Sequence, residues 1–299
     1  CEDGYGIFDG SVLDAQRISD GQFVKIEEVE LSSKKAFITC YLSSEHLKND
    51  PRNHAIPVLD VLRDVVHTDS VLLVLPLLRH TTYPSISSVS EALDLVGQTL
   101  EGLVFLHEHE VAHRNCAVEN IMMDARAVFP TQWHPQFPHC DLQIQLYKNI
   151  KSRTDVGGVR YYFATSCLST KGEVQVTGRA GFEESPELSD RVPYNPYKLD
   201  VYILGKMYQR TILGQFINLT LLEPLVNHMT AEKPEDRPTA AEAYARFQEL
   251  RPKLNVSLFS QRLLTKEESR VIRLIKGSRY WLHEQWVRRR PKPRLPPFH

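Results

Sequence analysis

Short strand-like stretches with one helix between them make up the first eighty residues, and apolar residues repeat at three- and four-residue intervals after Pro84. The latter pattern is that of helices with one buried side. Residues 11–18 and 22–31 are strand-like. Asp20-Gly21 between them is a hairpin signal, because glycine accepts the positive φ that a tight turn needs. Residues 34–42 predict a short helix, and residues 60–66 and 70–75 a second strand pair. Over residues 90–109, Leu93, Val96, Leu100, Leu103 and Leu106 form one apolar stripe and predict a helix with a buried face. Residues 128–156 hold three prolines and little periodicity, and a loop of that length is either functional or disordered. The helical pattern returns over residues 197–254, and residues 260–290 predict one further helix. Thr265 to Glu268 spells a capping box, in which each side chain can satisfy an N–H at a helix start. The prolines after Arg290 stop any helix. No internal repeat is visible. A small β-rich part followed by a larger helical part is an α+β class, and several architectures share it.

Composition narrows the function classes. A chain of 299 residues that is 42% hydrophobic and 24% charged folds into two lobes or one large domain rather than remaining disordered. The longest apolar run, residues 71–78, is too short to span a bilayer. The five cysteines, at 1, 40, 116, 140 and 167, form no CxxC pair, which points to a reducing compartment rather than a disulfide framework or a zinc site. The chain begins with Cys1 rather than Met, so its first lobe is expected to be truncated at the start. No charged segment followed by an apolar one marks a signal peptide, and the expected location is intracellular, cytoplasmic or nuclear.

The net charge of -1 conceals an asymmetry. Residues 261–299 carry 11 Lys+Arg against 3 Asp+Glu, and the other residues 25 against 34. An acidic body argues against a nucleic-acid surface there, whereas the basic tail suits an acidic partner, an anionic membrane or a nuclear import receptor, after the simpler role of keeping the chain soluble. Val271, Leu274, Ile275, Leu282 and Trp286 give this extension an apolar stripe, read as a docking face on its own body.

Four segments resemble protein kinases in order and interval. His113-Arg114-Asn115-Cys116-Ala117-Val118-Glu119-Asn120 is similar to the catalytic loop H-R-D-x-x-x-x-N with one change. Ser185-Pro186-Glu187 resembles the A-P-E that closes the activation segment. Asp200-Val201-Tyr202-Ile203-Leu204-Gly205 resembles the D-V-x-x-L-G of a central helix, and Pro234-Glu235-Asp236-Arg237-Pro238-Thr239 the P-x-x-R-P-T near the end of the large lobe. Residues 50–54, 120–124 and 159–163 further resemble the kinase-like proteins of mushroom-forming fungi. The resemblance covers roughly residues 10–250. It implies a two-lobed kinase-like fold, with a β-rich N-lobe over 1–80, a helical C-lobe over 81–256 containing a long loop at 128–158, and a helical extension with a basic, Pro-rich tail over 257–299. It also implies that His113, Arg114, Glu187, Asp200 and Arg237 are structural. Glu187 and Arg237 would form a buried ion pair, and Asp200 would accept hydrogen bonds from the backbone of the His–Arg turn.

The same resemblance assigns the reacting positions, and most of them are changed. The proton-accepting Asp corresponds to Asn115, an amide that cannot act as a base. In Tyr161-Tyr162-Phe163-Ala164-Thr165-Ser166-Cys167-Leu168-Ser169 the metal-binding Asp position is Thr165 and the Gly position Cys167. A hydroxyl is a poor substitute for a carboxylate on Mg²⁺. Asp141 and Asp155 in the long loop are the available acids, with no spacing that recruits them. Asn120 keeps its motif position and, without a partner Asp, reads as structural. On the strand Gly21-Gln22-Phe23-Val24-Lys25-Ile26-Glu27-Glu28-Val29, the preferred register gives the phosphate-binding Lys position to Glu27 and a small-residue position to Lys25. A two-residue shift would instead make Lys25 the phosphate lysine. The helix that should carry a glutamate offers Lys34 and Lys35, so a charge-swapped Glu27–Lys35 pair becomes possible. Gly10 and Val12, with Ala15, fit the last part of a phosphate-covering glycine loop, but a flexible N-terminus is the preferred reading.

Trp133-His134 and His139-Cys140 lack paired spacing and read as an ordinary surface loop rather than a metal site. The sequons at Asn218 and Asn255 read as chance. The expected protein is a pseudokinase, an interaction or allosteric module with unidentified protein partners and no metal or other cofactor. The alternative is an atypical active kinase that uses ATP and Mg²⁺ to phosphorylate a protein hydroxyl, with Ala117 leaving Ser/Thr or Tyr specificity open.

Overall fold

The computed structural model describes residues 12–63, 67–134, 137, 139–165, 169–179, 185–250, 252, 256–259 and 261–287. Strand β1 (Val12–Gln16) turns back into β2 (Phe23–Glu30) through Asp20-Gly21. Gly21 takes φ 69°, and its N–H donates to the Arg17 carbonyl at 2.8 Å. Asp20 braces the turn by accepting from Arg17 Nε at 3.0 Å and from the Gln22 N–H at 3.1 Å. On its other edge β2 pairs with β4 (Ser70–Pro76), and β4 pairs with β3 (Asp60–Arg63), all antiparallel, in the order β1-β2-β4-β3. The predicted strand end at 64–66 lies outside the described residues. Helix α1 (Lys34–Leu42) starts at Ser33, whose Oγ accepts the Ala36 N–H at 3.1 Å. Ala36 packs with Val29, Leu73 and Leu75 to close a small core under the sheet.

The second and larger core is built on helix α2 (Val89–Glu108), where Leu93, Val96, Leu100, Leu103 and Leu106 are all buried. Strands β5 (Arg79–His80), β7 (Ile121–Met123) and β8 (Tyr161–Phe163) make a three-stranded sheet, and β6 (Val111–Ala112) pairs with β9 (Thr170–Lys171). Helices α3 (Pro196–Tyr208), α4 (Glu223–Met229) and α5 (Ala240–Leu250) complete this core, followed by the short α6 (Val256–Phe259) and by α7 (Arg270–Val287). Asn195 caps α3 by accepting the Tyr197 and Lys198 N–H groups, with Pro196 in the first turn. Gly205 lets α3 touch α4, since a Cβ there would lie 2.8 Å from Met229 Cβ. The fold is α+β, with a small antiparallel sheet region and a larger helical region.

The disordered alternative for the long loop, the surface placement of Trp133-His134, which are buried, and three readings of the C-terminal extension need revision. The long loop between β7 and β8 forms no helix or strand of its own among the described residues, yet it is neither loose nor empty: Val128, Phe129, Trp133 and Val156 are buried in the larger core. Cations anchor it. Arg79 lies 4.1 Å from the Phe129 ring centroid, 4.8 Å from Tyr83 and 5.4 Å from Trp133, and this burial pulls its pKa down to about 10. The fully buried Arg153 donates to the Tyr161 hydroxyl at 2.8 Å and to the carbonyls of Pro84 (2.9 Å) and Thr81. From α2, Glu91 accepts from the N–H and hydroxyl of Thr154 at 2.8 and 3.0 Å, and from those of Ser87 at 2.7 and 2.9 Å.

The predicted helix over 260–290 begins only at Arg270. Residues 261–268 instead form a strap on the body. The Leu263 N–H donates to Ser87 O at 2.8 Å, the Val89 N–H to Gln261 O at 2.9 Å and the Ile217 N–H to Leu264 O at 2.9 Å. Glu268 does not cap Thr265, because its carboxylate is held by Arg262 at 2.6 Å and Lys276 at 2.8 Å. The working capping box is at Thr239 and Glu242, where Glu242 Oε2 accepts the Thr239 N–H at 2.8 Å and Thr239 Oγ1 accepts the Glu242 N–H at 3.2 Å.

The apolar stripe of α7 does not dock on the body, since Val271, Leu274, Ile275 and Leu282 are exposed. The side chain of Trp286 lies outside the described residues. Among those residues no helix is long and apolar enough to cross a membrane.

Candidate functional site

The site is built where β6 ends and the chain turns sharply through residues 113–115. Arg114 sits at φ 62°, a left-handed conformation that a non-glycine residue holds only under external restraint. Asp200 supplies that restraint from inside α3. It is fully buried, and its carboxylate accepts from the His113 N–H at 2.8 Å, the Arg114 N–H at 2.5 Å and His107 Nε2 at 3.0 Å. The Cys116 thiol is also near, at 3.7 Å, and burial together with this carboxylate pushes its pKa up, so it stays protonated. Charge-assisted bonds of this kind are about twice as strong as neutral ones, which is what a strained turn requires.

His113 carries the turn to the end of β8. Its Nε2 donates to the Ala164 carbonyl at 2.6 Å, and its Nδ1 accepts the Asn115 N–H at 3.3 Å. Burial lowers its pKa, so the ring is neutral in the Nε2–H form that both bonds require. The Arg114 guanidinium reaches the other way, to Thr177 O at 3.0 Å and the Tyr194 hydroxyl at 2.8 Å, and so ties in the segment after β9.

This arrangement brings Asn115, Asn120 and Thr165 into one neighbourhood. Asn120 Nδ2 donates to the Asn115 carbonyl at 3.1 Å, and its own carbonyl accepts the Ala164 N–H at 2.9 Å. Asn120 therefore braces the loop. Asn115 and Thr165 are half-buried beside it. These three side chains offer amides and a hydroxyl but no negative charge.

Lys25 and Glu27 stand elsewhere, on β2. Glu27 lies across from Val12 on β1 and Leu73 on β4. Its carboxylate is shared by Lys25, at 3.0 Å, and by Lys35 from α1, so the structure contains the charge-swapped pair. Burial alone would push the Glu27 carboxyl up, but the two ammonium groups outweigh it and hold it below its usual value. Val12 belongs to β1, with its side chain outside the described residues, as are Gly10 and Cys167 entirely.

Glu187 and Arg237 meet in a two-pronged pair, one arm at 3.0 Å. Arg237 also donates to the carbonyls of Ala231 (2.8 Å), Lys198 (3.2 Å) and Glu232 (3.0 Å), and its guanidinium carbon lies 4.3 Å from the Tyr202 ring centroid. One planar cation thus joins the segment before α3, α3 itself and the segment before α5.

The loop acids do not converge on the site. Asp141 accepts the N–H groups of Gln143 and Gln145 at 2.9 and 3.0 Å, and Asp155 accepts that of Ser152 at 2.8 Å. Among the described residues no group of three or more His, Cys, Asp or Glu side chains could hold a metal ion. The Asn218 amide is used internally, donating to Arg262 O at 3.0 Å and accepting the Leu264 N–H at 2.9 Å. Sequence reasoning missed His107, Glu91, Arg79 and Arg153. For His107 and Arg153 the partners lie far along the chain or on loops with no period, whereas Ser88 to Glu91 at the start of α2 has the Ser-x-x-Glu spacing of a helix start and could have singled out Glu91.

No protein-family model matches the chain, and no curated protein matches it.

Proposed function

We propose that this chain is a catalytically inactive, two-lobed member of the protein-kinase superfamily, a pseudokinase that serves as an interaction or allosteric module. Most of the weight falls on Glu27. At the position the resemblance gives to the phosphate-binding lysine stands a carboxylate already engaged by Lys25 and Lys35. A negative group there repels nucleotide phosphates, and the two lysines that would attract them are turned onto it.

The donor set does not fit magnesium-bound ATP. Mg²⁺ is held by one or two carboxylates together with substrate phosphates, whereas Thr165 brings a hydroxyl and Asn120 an amide spent on the Asn115 carbonyl. Asn115 cannot take a proton from a substrate hydroxyl. Beside these changes, the restraints on the His113–Arg114 turn and the Glu187–Arg237 pair are complete. Charge has been removed where transfer chemistry needs it and kept where shape needs it.

Thermal unfolding of the full chain with and without Mg²⁺ and ATP tests this reading. A ligand at a hundred times its Kd stabilises by about 2.7 kcal/mol, which raises Tm by several degrees. The expected result at millimolar nucleotide is no rise. A rise accompanied by phosphate transfer to a Ser/Thr substrate would instead identify an atypical active kinase. A metal-independent rise without transfer would mark a nucleotide-sensing module.

A further inference from the structure

Helix α7 leaves the body with its apolar side uncovered. The strap over residues 261–268 fixes its root through Glu268, Arg262 and Lys276, but beyond that root the large side chains face solvent: Leu274 is 76% exposed, Val271 65%, Leu282 62% and Trp281 60%. Val271, Leu274, Ile275 and Leu282 follow the i, i+3, i+4, i+11 spacing of a single helix face. Arg273, Lys276 and Arg279 lie on the remaining circumference, which they share with the exposed Ile272, and the only acid in the helix is Glu284. Arg288, Arg289, Arg290, Lys292 and Arg294 come directly after it in sequence.

We propose that α7 is a membrane-surface helix that lies on anionic lipid, with its apolar side among the acyl chains and its cations at the headgroups. Charge complementarity selects this occupant. An apolar face bordered by cations, with Trp281 at its edge, fits a negatively charged interface. The basic run after the helix adds a second, electrostatic attachment, of the kind one short amphipathic helix needs for stable anchoring. A second copy of the chain fits poorly, because a helix pair closed over this seam would bring the cationic borders of both copies together. The helix is too polar to span a bilayer, so it rests on the surface. This proposal does not depend on the pseudokinase reading.

Co-sedimentation of the full chain with vesicles of phosphatidylcholine plus phosphatidylserine, against phosphatidylcholine alone, tests it. Binding is expected only to the anionic vesicles, with weakening as salt rises and a blue shift of tryptophan emission. The L274E/L282E variant, altered at exposed positions and therefore unchanged in Tm, should bind at least about tenfold more weakly. Replacing Arg288, Arg289 and Arg290 by Gln should also weaken binding about tenfold and flatten the salt dependence. The proposal is overturned by no binding to anionic vesicles at low salt, or by binding that L274E/L282E leaves intact. It is equally overturned if the chain binds an acidic protein groove but no vesicle, or if it dimerises through α7 and ignores lipid.

Discussion

Glu187 and Glu27 are both gripped by cations, yet the two grips differ in what surrounds them. Glu187 meets an Arg237 side chain with no exposed surface, whose remaining donors are taken by three backbone carbonyls. Glu27, itself 12% exposed, meets Lys25, which keeps 37% of its side-chain surface, and Lys35, which keeps 24%. In the first case the ions have exchanged water for protein and cannot recover it singly. In the second, water can stand in for a missing partner. Buried charge therefore holds the shape of the helical region, while the ion pairs on the sheet keep contact with water through Lys25 and Lys35. Asp200 belongs with the first kind, since it is fully buried and holds two N–H groups of the turn together with His107.

The strongest way to break this contrast is at Arg237. R237A leaves Glu187 buried and three carbonyls without a donor, and it should lower stability by about 3–5 kcal/mol, near 10 °C in Tm. A loss as small as that expected at Glu27 would erase the distinction. At Asp200 the change to Asn keeps the size but removes the charge. D200N should lose about 1.5–3 kcal/mol in urea unfolding, because one of the acceptors for the turn becomes a donor and Arg114 keeps its strained φ with less support.

On the sheet the effects are smaller. A double-mutant cycle of E27Q with K35M should return a coupling of about 1 kcal/mol or less. Its pH dependence has a definite sign. The folded-state pKa of Glu27 lies below its usual value, so its stabilisation is present above the unfolded value, about 4.3, and fades as pH falls through the lower folded value. Wild type should therefore lose stability more steeply than E27Q below that pH, and parallel curves would mean the lysines contribute nothing. The smallest change is expected from N115D. On the pseudokinase reading it places a carboxylate at one of the changed positions while leaving Glu27 and Thr165 as they are, so phosphate transfer should stay at background. Measurable transfer would show that the base position alone separates this chain from activity.

Much of the helical region was legible from spacing. The five leucine and valine positions of α2 are all buried, because an apolar stripe at helical period has few other ways to leave water, and in the sheet region α1 spans the predicted residues 34–42. The Asp20-Gly21 turn came from one residue's freedom at positive φ. Less legible were features that depend on competition between partners. Thr265 and Glu268 have the right letters for a capping box, but Arg262 and Lys276 outbid Thr265 for the carboxylate, while the same letters at Thr239 and Glu242 meet no rival. The long loop has no period at all, and its order comes from Arg79, Arg153 and Glu91 finding rings, carbonyls and hydroxyls elsewhere.

Residue types and their near neighbours were enough to mark the first four strands, the α1 and α2 helices and the absence of a carboxylate at Asn115 and Thr165, whereas β5 to β9 carry no such mark and the turn at His113-Arg114-Asn115 was expected only from the resemblance. It took the folded chain to bring Asp200 and His107 together at that turn, to close off Glu27 with Lys25 and Lys35, and to leave the α7 stripe facing solvent. The difference is one of reach. Backbone geometry and hydrophobic period act over a few residues, whereas a buried charge takes whichever partner the finished fold delivers, however far away it lies in the chain.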